Sequence, residues 1–340
     1  MVQSDVLVVG GGAIGGVTAA LMTGKVRRVM VLDANRDHVE RLRDPGLQFD
    51  CLGDQRTVAL DAYADPDELP AEAEFALVTL KAAYLEPALT PLRERAQTFV
   101  SLGNGLVQDR VADLVGGDRL LIGTVEWGAT NLGPGRLAQT TRAPFVIGEP
   151  DGSQSDRLHR LAAVLETAAE ARISPNIRGQ VWSKLLINST WSGLGVVSGL
   201  LYGEIADHPV GRRVARAVWR EGVEVGHAQG LELQKQIGVR PEDLAAEDEA
   251  VADAAIDTMM QRVAPTKASM LQDIERGVPC EVGVINGAVV QRGSEHGVPT
   301  PLNAEIVEIV RGYERGDASP SPDAFERLED RLKSRPPRDP

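Results

Sequence analysis

The sequence of 340 residues has few cysteines, no long apolar run and no excess of positive charge, and each shortage excludes a class of protein. Cys51 and Cys280 lie far apart without CxxC or Cys/His spacing, which argues against a structural zinc site and indicates a reducing compartment, the cytoplasm. No run approaches the roughly 20 apolar residues of a membrane span, and no signal-peptide pattern precedes the first apolar segment. With a net charge of −13, we expect neither nucleic acid nor a membrane as partner.

What is present is the pattern of a two-domain α/β protein. Apolar segments at 6–9, 29–32, 75–80 and 99–102 alternate with helical patterns, as in a parallel sheet with crossover helices. Shorter segments at 121–124, 136–140 and 145–147 favour antiparallel additions at the sheet edge. From residue 181 the pattern is helical. We predict a Rossmann-like doubly wound domain that binds a dinucleotide (1–175), an all-α substrate and catalytic domain (176–315) and a loosely ordered C-terminal tail (316–340).

A glycine-rich segment follows the first predicted strand. Gly10, Gly12 and Gly15 satisfy the pattern GxGxxG, with Ala13 and Ile14 inside it. In dinucleotide-binding folds the first glycine allows a tight turn, the second lets the backbone approach a pyrophosphate, and the third permits close helix packing. The helix that starts here would offer free N–H groups to the phosphates. The segment therefore predicts a cofactor site formed by these five residues.

Asp33 bears on which dinucleotide is bound. It ends the second predicted strand, at about the 20-residue spacing from the glycines that this fold uses. A carboxylate at this position accepts hydrogen bonds from the ribose 2′-OH and repels a 2′-phosphate, so NAD is favoured over NADP. Two alternatives stay open: Asp33 could merely start the following helix, and Arg36 could pair with the 2′-phosphate of NADP.

A narrow polar stripe marks the second half. At helical spacing Lys184, Asn188 and Ser192 lie on one face, continued by Gly195 and Gly199, and apolar residues cover the remaining faces. A solvated face is normally wider and carries more charge, so the stripe indicates a cleft wall with a catalytic lysine. The alternative is a surface lysine whose stem covers apolar side chains.

Further segments occur in a fixed order along the chain. They are Thr79-Leu80-Lys81, Leu102-Gly103-Asn104-Gly105-Leu106, Gly128-Ala129-Thr130 with Gly133-Pro134-Gly135, the Lys184-xxx-Asn188 helix, Ser269-Met270-Leu271-Gln272-Asp273-Ile274, Glu281, and Ile285-Asn286-Gly287. Together with the glycine pattern, this set resembles the ketopantoate reductase (2-dehydropantoate 2-reductase) family over nearly the whole chain, as far as Tyr313.

The resemblance implies that a nicotinamide cofactor delivers hydride to the keto carbon of a 2-oxo acid. It implies that Lys184 is the general acid that protonates the developing alkoxide, and the base in the reverse direction. Burial beside a cationic ring would lower its pKa from about 10.4 towards the working pH. Glu281 would bind near the reacting hydroxyl and the cofactor, while Asn188 and Ser269 would hold the hydroxyl and the carboxylate of the substrate.

The resemblance also implies that Lys81 and Asn104 line the cofactor at strand ends. Without it, several of these residues have simpler interpretations. Glu281 could favour the positive start of a helix, Ser269 could be a surface hydroxyl, and Asn104 could belong to a simple turn between glycines. The motif order along the chain decides for the functional interpretation.

Other positions depart from the family pattern. Ser192, Tyr202 and Thr266 stand where many members direct asparagines towards the substrate, and we predict that these three line the substrate pocket. Gly283 replaces an acid, and the segment at 33–35 replaces a basic residue. A pocket that loses amide donors and gains a phenol should accept a different side chain on the 2-oxo acid.

Three functions follow as hypotheses. The first is an NAD(P)-dependent oxidoreductase for a 2-oxo/2-hydroxy acid, with ketopantoate as the lead substrate. The second is an NAD-dependent dehydrogenase that oxidises a different hydroxy acid or alcohol, and the third is a non-catalytic dinucleotide-binding sensor. In each case the ligands are small molecules and no metal site is expected. The apolar helix positions of the second domain fit a homodimer face and the domain's own core equally well.

Overall fold

The computed structural model describes residues 1–334 and divides into two units. The first contains Met1–Gly103 and Val107–Arg178, and the second contains Asn104–Leu106 and the chain from Gly179 onward. The boundary therefore falls after Arg178, inside a helix, and not at residue 175, and a three-residue segment of the predicted N-terminal domain belongs to the other unit. No helix among residues 1–334 is long and apolar enough to cross a membrane.

The first unit combines strands and helices in alternation. Its strands are β1 (Val2–Val9), β2 (Val26–Leu32), β3 (Leu47–Cys51), β4 (Asp54–Val58), β5 (Asp61–Tyr63), β6 (Ala73–Val78), β7 (Ala96–Ser101), β8 (Leu120–Val125), β9 (Ala129–Gly133), β10 (Arg136–Gln139), β11 (Phe145–Gly148) and β12 (Ala171–Ile173). Its helices are α1 (Ala13–Met22), α2 (Arg36–Arg41), α3 (Leu85–Leu89), α4 (Gln108–Val115) and α5 (Asp156–Leu165).

The main sheet has eight strands in the order β12-β11-β8-β7-β6-β1-β2-β5. β1 pairs in parallel with β2 on one side and with β6 on the other, and β5, β7 and β8 extend the parallel array. The chain order reverses between β1 and β6, which is where doubly wound sheets bind ligands, outside the carboxyl ends of the strands. Gly10 and Thr79 are the first residues after these two strands. The predicted Rossmann-like fold is confirmed.

The predicted edge segments are arranged differently. β11 is antiparallel to β8, as expected, but β8 pairs in parallel with β7. β10 joins a second sheet of order β4-β3-β10-β9, parallel to β3 and antiparallel to β9. The antiparallel prediction is therefore confirmed for the pairs β8–β11 and β10–β9, but it is wrong for the other neighbour of each strand, and β10 does not lie at the edge of the main sheet. The reason is tertiary: fully buried Leu137 of β10 packs on α1 at Gly16, where any side chain would clash with it.

The second unit is helical. Its elements are α6 (Ile177–Ile187), which begins in the first unit, α7 (Gly193–Ser198), α8 (Tyr202–Asp207), α9 (Pro209–Ala228), α10 (Pro241–Leu244), α11 (Glu249–Val263), α12 (Ser269–Glu275), α13 (Asn286–Glu295), α14 (Pro301–Arg315) and α15 (Ala324–Lys333). Asn188–Ser192 form a π-helical turn between α6 and α7. Trp182, Trp191 and Trp219 are fully buried in the unit's apolar core. Most apolar helix positions are explained by this core, and the homodimer stays a prediction.

A buried carboxylate links several of these helices. Glu221 of α9 accepts hydrogen bonds from the backbone N–H groups of Leu302 and Asn303 at 3.0 Å. These N–H groups lie in the first turn of α14, where they lack helical acceptors and favour a negative charge. Asn303 Oδ1 accepts from Asn286 Nδ2 at 3.0 Å, and that amide nitrogen also donates to the carbonyl of Ser189 at 2.8 Å. The chain of bonds thus runs from α9 to the π-helical turn.

The C-terminal segment is more ordered than expected. α15 packs on α9 and α14, with Phe325 and Leu328 fully buried, and the Phe325 ring lies 5.1 Å from the ring of His208. The prediction of a loosely ordered tail is therefore wrong for residues 324–333. Two apolar residues at i, i+3 spacing suffice to dock a helix that is otherwise charged. Residues 335–340 of the predicted tail lie outside the described residues.

Replacing Phe325 by alanine tests this docking. We expect Phe325→Ala to lower the free energy of unfolding by about 3 kcal/mol, because it opens a cavity in a packed core. The exposed neighbour Glu326 provides the control, since Glu326→Ala should stay within about 0.5 kcal/mol of the wild type. Urea denaturation followed by tryptophan fluorescence measures both. Equal stabilities of the two variants would mean that the segment is not held as described.

Candidate active site

The turn after β1 is fixed by backbone contacts. Gly10 has a φ of 98° and its N–H donates to the carbonyl of Leu32 at 2.8 Å. A side chain on Gly15 would clash with the Gly10 carbonyl and the Thr79 hydroxyl. The Thr79 hydroxyl in turn approaches the carbonyls of Val9 and Gly10 at 3.1 and 2.8 Å. These contacts match what the first and third glycines of the pattern are expected to do.

The start of α1 has the properties of an anion site. Gly12 is the N-cap, with no side-chain cap, and the first turn of this ten-residue helix carries no acidic residue. Gly12 is half-buried, and a Cβ built on it would meet no atom within 4 Å. Ala13 and Ile14, also half-buried, continue into the helix. A pyrophosphate fits this arrangement, because it accepts hydrogen bonds from helix-start N–H groups and needs the space beside a glycine.

Asp33 is tied to the glycine-rich turn. Its Oδ2 accepts from the N–H of Gly11 at 2.8 Å, and its Oδ1 accepts from the N–H of Asn35 at 2.9 Å. Asp33 does not itself cap α2, because the N-cap is Asn35, whose Oδ1 accepts from the N–H of His38 at 3.1 Å. Each carboxylate oxygen keeps a lone pair for a further donor. The contact therefore holds a negative charge beside the turn.

A buried histidine holds the other side of the same glycine. The Nε2 of His38 lies 2.7 Å from the carbonyl of Gly11, and its Nδ1 accepts from the N–H of Gly135 at 2.9 Å. Gly135 joins β9 to β10, with a φ of 70°. No local pattern in the sequence marks His38, because its partner Gly135 lies 97 positions away in the chain.

Lys81 and Asn104 fall in different units. Lys81 is half-buried and lies shortly after β6, near the carboxyl ends of the central strands. Asn104 belongs to the short segment of the second unit, where the N–H of Leu106 donates to the carbonyl of Val284 at 2.9 Å. Gly105 has a φ of 74°, and a side chain on it would clash with that carbonyl. Asn104 therefore does belong to a turn, as the simpler interpretation expects. This turn packs against Val284, in the segment that follows Glu281.

Lys184 and Asn188 lie at the end of α6. Both are half-buried, and Asn188 is the first residue of the π-helical turn. The indole of Trp182 donates to the carbonyl of Gly222 at 2.9 Å, which fixes the buried side of α6. π-helical turns often occur at functional sites. Because the π-helical turn changes the rotation per residue, the predicted stripe does not continue along one helix face. Ser192 is 97% buried, whereas Lys184 and Asn188 are half-buried.

Three residues predicted to line the substrate pocket are linked to one another. The hydroxyls of Ser192 and Tyr202 lie 2.6 Å apart, and the N–H of Tyr202 donates to the carbonyl of Thr266 at 3.1 Å. Burial raises the pKa of the Tyr202 phenol, and the weaker opposing effect is its hydrogen bond to Ser192. The phenol therefore stays protonated. The Thr266 side chain is exposed.

Ser269 begins α12, and Glu281 lies in the loop between α12 and α13. Glu281 is buried, and its carbonyl accepts from the N–H groups of Val284 and Ile285 at 3.1 Å. α13 begins only at Asn286, so Glu281 is not in the first turn of a helix as the simpler interpretation required. Ser269 is exposed and is the first residue of α12, which packs on α7 and on the π-helical turn.

Two family models match the chain, one in each half. "Ketopantoate reductase PanE/ApbA" matches residues 6–152, and "Ketopantoate reductase PanE/ApbA C terminal" matches residues 176–314. A 2-dehydropantoate 2-reductase of Archaeoglobus fulgidus is 29% identical over 92% of this chain and 98% of its own, and one of Halobacterium salinarum is 26% identical over 91% and 99%. A structure of D-mandelate dehydrogenase with NADH and anilino(oxo)acetate has a TM-score of 0.79 at 20% identity, covering 92% of this chain and 99% of that one.

The fold and the glycine-rich turn are those of a dinucleotide-binding protein, and the family models and relatives make it an oxidoreductase that acts on a CH–OH group or on the corresponding carbonyl. The chain belongs to the ketopantoate reductase family, whose two models together cover most of it. The resemblance predicted from the motifs is confirmed, and a nicotinamide cofactor is the one that this family implies.

Gly12→Ala tests the anion site at the start of α1. The substitution meets no protein atom, so the free energy of unfolding should fall by less than about 1 kcal/mol. The added methyl group would occupy the space of the pyrophosphate, and we expect NADH to bind at least about tenfold more weakly. Gly117→Ala is the control, because Gly117 is equally open but far along the chain. Fluorescence titration measures the Kd for NADH. An unchanged Kd in Gly12→Ala would mean that the cofactor does not bind at the start of α1.

Proposed function

We propose that the protein reduces a 2-oxo acid to a 2-hydroxy acid with a nicotinamide cofactor, using Lys184 as the general acid. The observation that carries the proposal is the setting of Lys184: a half-buried lysine on a helix fixed by buried tryptophans, four residues before Asn188 at a π-helical turn. A lysine that only covers apolar surface needs neither the amide nor the turn.

The glycine-rich turn and the start of α1 would hold the pyrophosphate of the cofactor, and Asp33 the adenosine ribose. When bound, the cofactor supplies the hydride for the keto carbon. Lys184 then donates a proton from Nζ to the oxygen that becomes the hydroxyl, so that one hydride and one proton convert C=O to CH–OH. In the oxidative direction the neutral amine of Lys184 takes the proton back.

Other groups bind and orient the substrate in this proposal. Asn188 holds the reacting oxygen, Ser269 the carboxylate, and Glu281 a position near the hydroxyl and the cofactor. Burial raises the pKa of the Cys280 thiol, next to Glu281 in the chain, to about 12, so this thiol stays protonated. Lys81 of the first unit is a further candidate for binding the cofactor, and the cofactor role of Asn104 stays a prediction from the family resemblance.

The identity of the 2-oxo acid depends on the Ser192–Tyr202 pair. The two hydroxyls lie 2.6 Å apart, so one of them donates to the other and only the accepting hydroxyl keeps a hydrogen for a further acceptor. Such a pair presents less polar surface than two free amides and favours a less polar side chain than that of ketopantoate. Ketopantoate remains the lead substrate because the curated relatives carry that name. The second candidate is oxidation of another 2-hydroxy acid, which the fold shared with D-mandelate dehydrogenase favours.

We further propose that NAD is preferred over NADP and that the enzyme acts in the cytoplasm. The carboxylate of Asp33 is fixed beside the glycine-rich turn by two backbone N–H groups, and its charge would repel a 2′-phosphate. Arg36, the alternative partner for that phosphate, is exposed. Cys51 and Cys280 are both free thiols, which fits a reducing compartment.

Steady-state rates with purified protein test the proposal. Reduced-nicotinamide absorbance is followed with NADH or NADPH against ketopantoate and a series of 2-oxo acids with apolar side chains, and in reverse with NAD and the matching 2-hydroxy acids. We expect turnover with NADH and at least one 2-oxo acid. Binding of NADH without turnover of any substrate in either direction would support the non-catalytic sensor instead.

Lys184→Ala isolates the proton donor. We expect kcat to fall by at least about a hundredfold, the usual range for loss of a general acid, while the Kd for NADH changes less than about threefold. Lys235→Ala, at an exposed lysine of the same unit, should retain activity. Titration of NADH fluorescence and initial rates give both values. Wild-type kcat in Lys184→Ala would remove Lys184 from the mechanism.

Asp33→Asn tests the cofactor preference. The amide keeps an acceptor oxygen for the N–H of Gly11 but loses the charge. We expect the ratio of kcat/KM for NADH to that for NADPH to fall by about tenfold, because repulsion of the 2′-phosphate disappears. An unchanged ratio, or a wild type that prefers NADPH, would contradict the role given to Asp33.

A further inference from the structure

We propose that His38 is a positioning residue that aims the backbone of the glycine-rich turn at the pyrophosphate of the cofactor. This inference rests on the proposed function, since it assumes that the turn binds a dinucleotide. His38 is 4% exposed and lies on α2, within the first unit. Neither of its ring nitrogens touches the open side of the turn, so the residue would act through Gly11 and not by contact with a ligand.

The two hydrogen bonds fix the tautomer of the ring. The N–H of Gly135 can only donate, so Nδ1 must carry a lone pair. The carbonyl of Gly11 can only accept, so the proton lies on Nε2 and is donated to that carbonyl. A neutral histidine has one donor and one acceptor, and both are used here between main-chain groups.

The bond to the Gly11 carbonyl determines where the next N–H points. The peptide between Gly11 and Gly12 is planar, and in a trans peptide the C=O and N–H groups point in opposite directions. A carbonyl held towards His38 therefore directs the Gly12 N–H away from α2. Gly12 is the residue with open space beside it at the start of α1. That N–H is one of the groups expected to donate to the pyrophosphate.

Gly11 is held from both sides, which makes the orientation specific. Its N–H donates to Asp33 at 2.8 Å and its carbonyl accepts from His38 at 2.7 Å. A glycine allows a wide range of backbone angles, so the turn needs outside contacts to stay in one of them. A Cβ on Gly11 would come within 3.4 Å of His38 Nε2 and 3.0 Å of Val31, so the backbone itself packs on these side chains. His38 thus supplies preorganisation, which strengthens binding by lowering its ordering cost.

The competing explanation is that His38 only stabilises the second sheet, by its hydrogen bond to Gly135 between β9 and β10. Three variants separate the two. His38→Leu fills the site without hydrogen bonds, His38→Gln supplies one donor and one acceptor, and Phe49→Leu weakens the second sheet at a fully buried residue without touching the turn. Each is measured for thermal stability and for the Kd of NADH and of ADP-ribose, which contains the pyrophosphate but lacks the nicotinamide.

We expect His38→Leu to weaken NADH and ADP-ribose equally, by about tenfold, and to raise the KM for cofactor more than it lowers kcat. His38→Gln should recover most of the affinity, and Phe49→Leu should lose stability with an unchanged Kd. If a folded His38→Leu binds NADH and ADP-ribose as tightly as the wild type, or if Phe49→Leu loses as much affinity as His38→Leu, this inference is wrong. The proposed function is not affected by either result. A wild type that binds neither nucleotide overturns the proposed function and this inference with it.

If His38→Leu does not fold, a measurement on the wild type still tests the positioning role. Nitrogen NMR of labelled histidine should show the proton of His38 on Nε2, and the Nε2 resonance should shift when ADP-ribose binds, because the ligand polarises the Gly11–Gly12 peptide. The opposite tautomer, or a resonance that does not move at saturating ADP-ribose, contradicts the positioning role.

Discussion

The first unit depends on the close approach of α1 to the turn after β1. Helix and turn meet backbone to backbone at Gly15 and Gly10, and the Thr79 hydroxyl closes the contact from the end of β6. This arrangement needs glycine because any Cβ at residue 15 would clash. It leaves the N–H groups at the start of α1 without side-chain caps. The close packing thereby leaves uncapped N–H groups, which favour an anion, at the point where the strand order reverses.

The second unit holds a series of hydrogen-bonded polar groups inside its apolar helical core. The bonds from Glu221 through Asn303 and Asn286 end at the carbonyl of Ser189, in the π-helical turn. A π-helical turn disturbs the regular helical hydrogen bonds, and the amide of Asn286 supplies a donor for one of its carbonyls. Asn286, in the motif Ile285-Asn286-Gly287, therefore holds the π-helical turn that begins with Asn188.

Much of this could be predicted from the sequence, where the signal is local. The βα pattern, α1 and the glycine turn are contiguous in the chain, and their chemistry follows from residue type and spacing. The predicted polar stripe is wrong beyond Asn188, because helical spacing assumes a uniform α-helix and gives no sign of a π-helical turn. Ser192 was expected on the same face as Lys184 and is instead buried against Tyr202.

What could not be predicted depends on contacts between distant residues. The partner of His38 lies 97 positions away, and the pairing of β10 with β3 follows from packing on α1. The segment at 104–106 joins the second unit through the packing of Leu106 on its apolar core and a backbone bond to Val284, which no periodicity indicates. The docking of α15 rests on Phe325 and Leu328 in an otherwise charged helix. In each case tertiary packing decides between local alternatives.

The central claim is that hydride passes directly from the nicotinamide to the keto carbon of a 2-oxo acid. Incubation of the protein with NADH deuterated at its transferable hydrogen, followed by mass spectrometry and proton NMR of the product, tests it most directly. The account predicts a 2-hydroxy acid with deuterium on the carbon that bears the new hydroxyl. A product without deuterium, or release of the label to water, would contradict it.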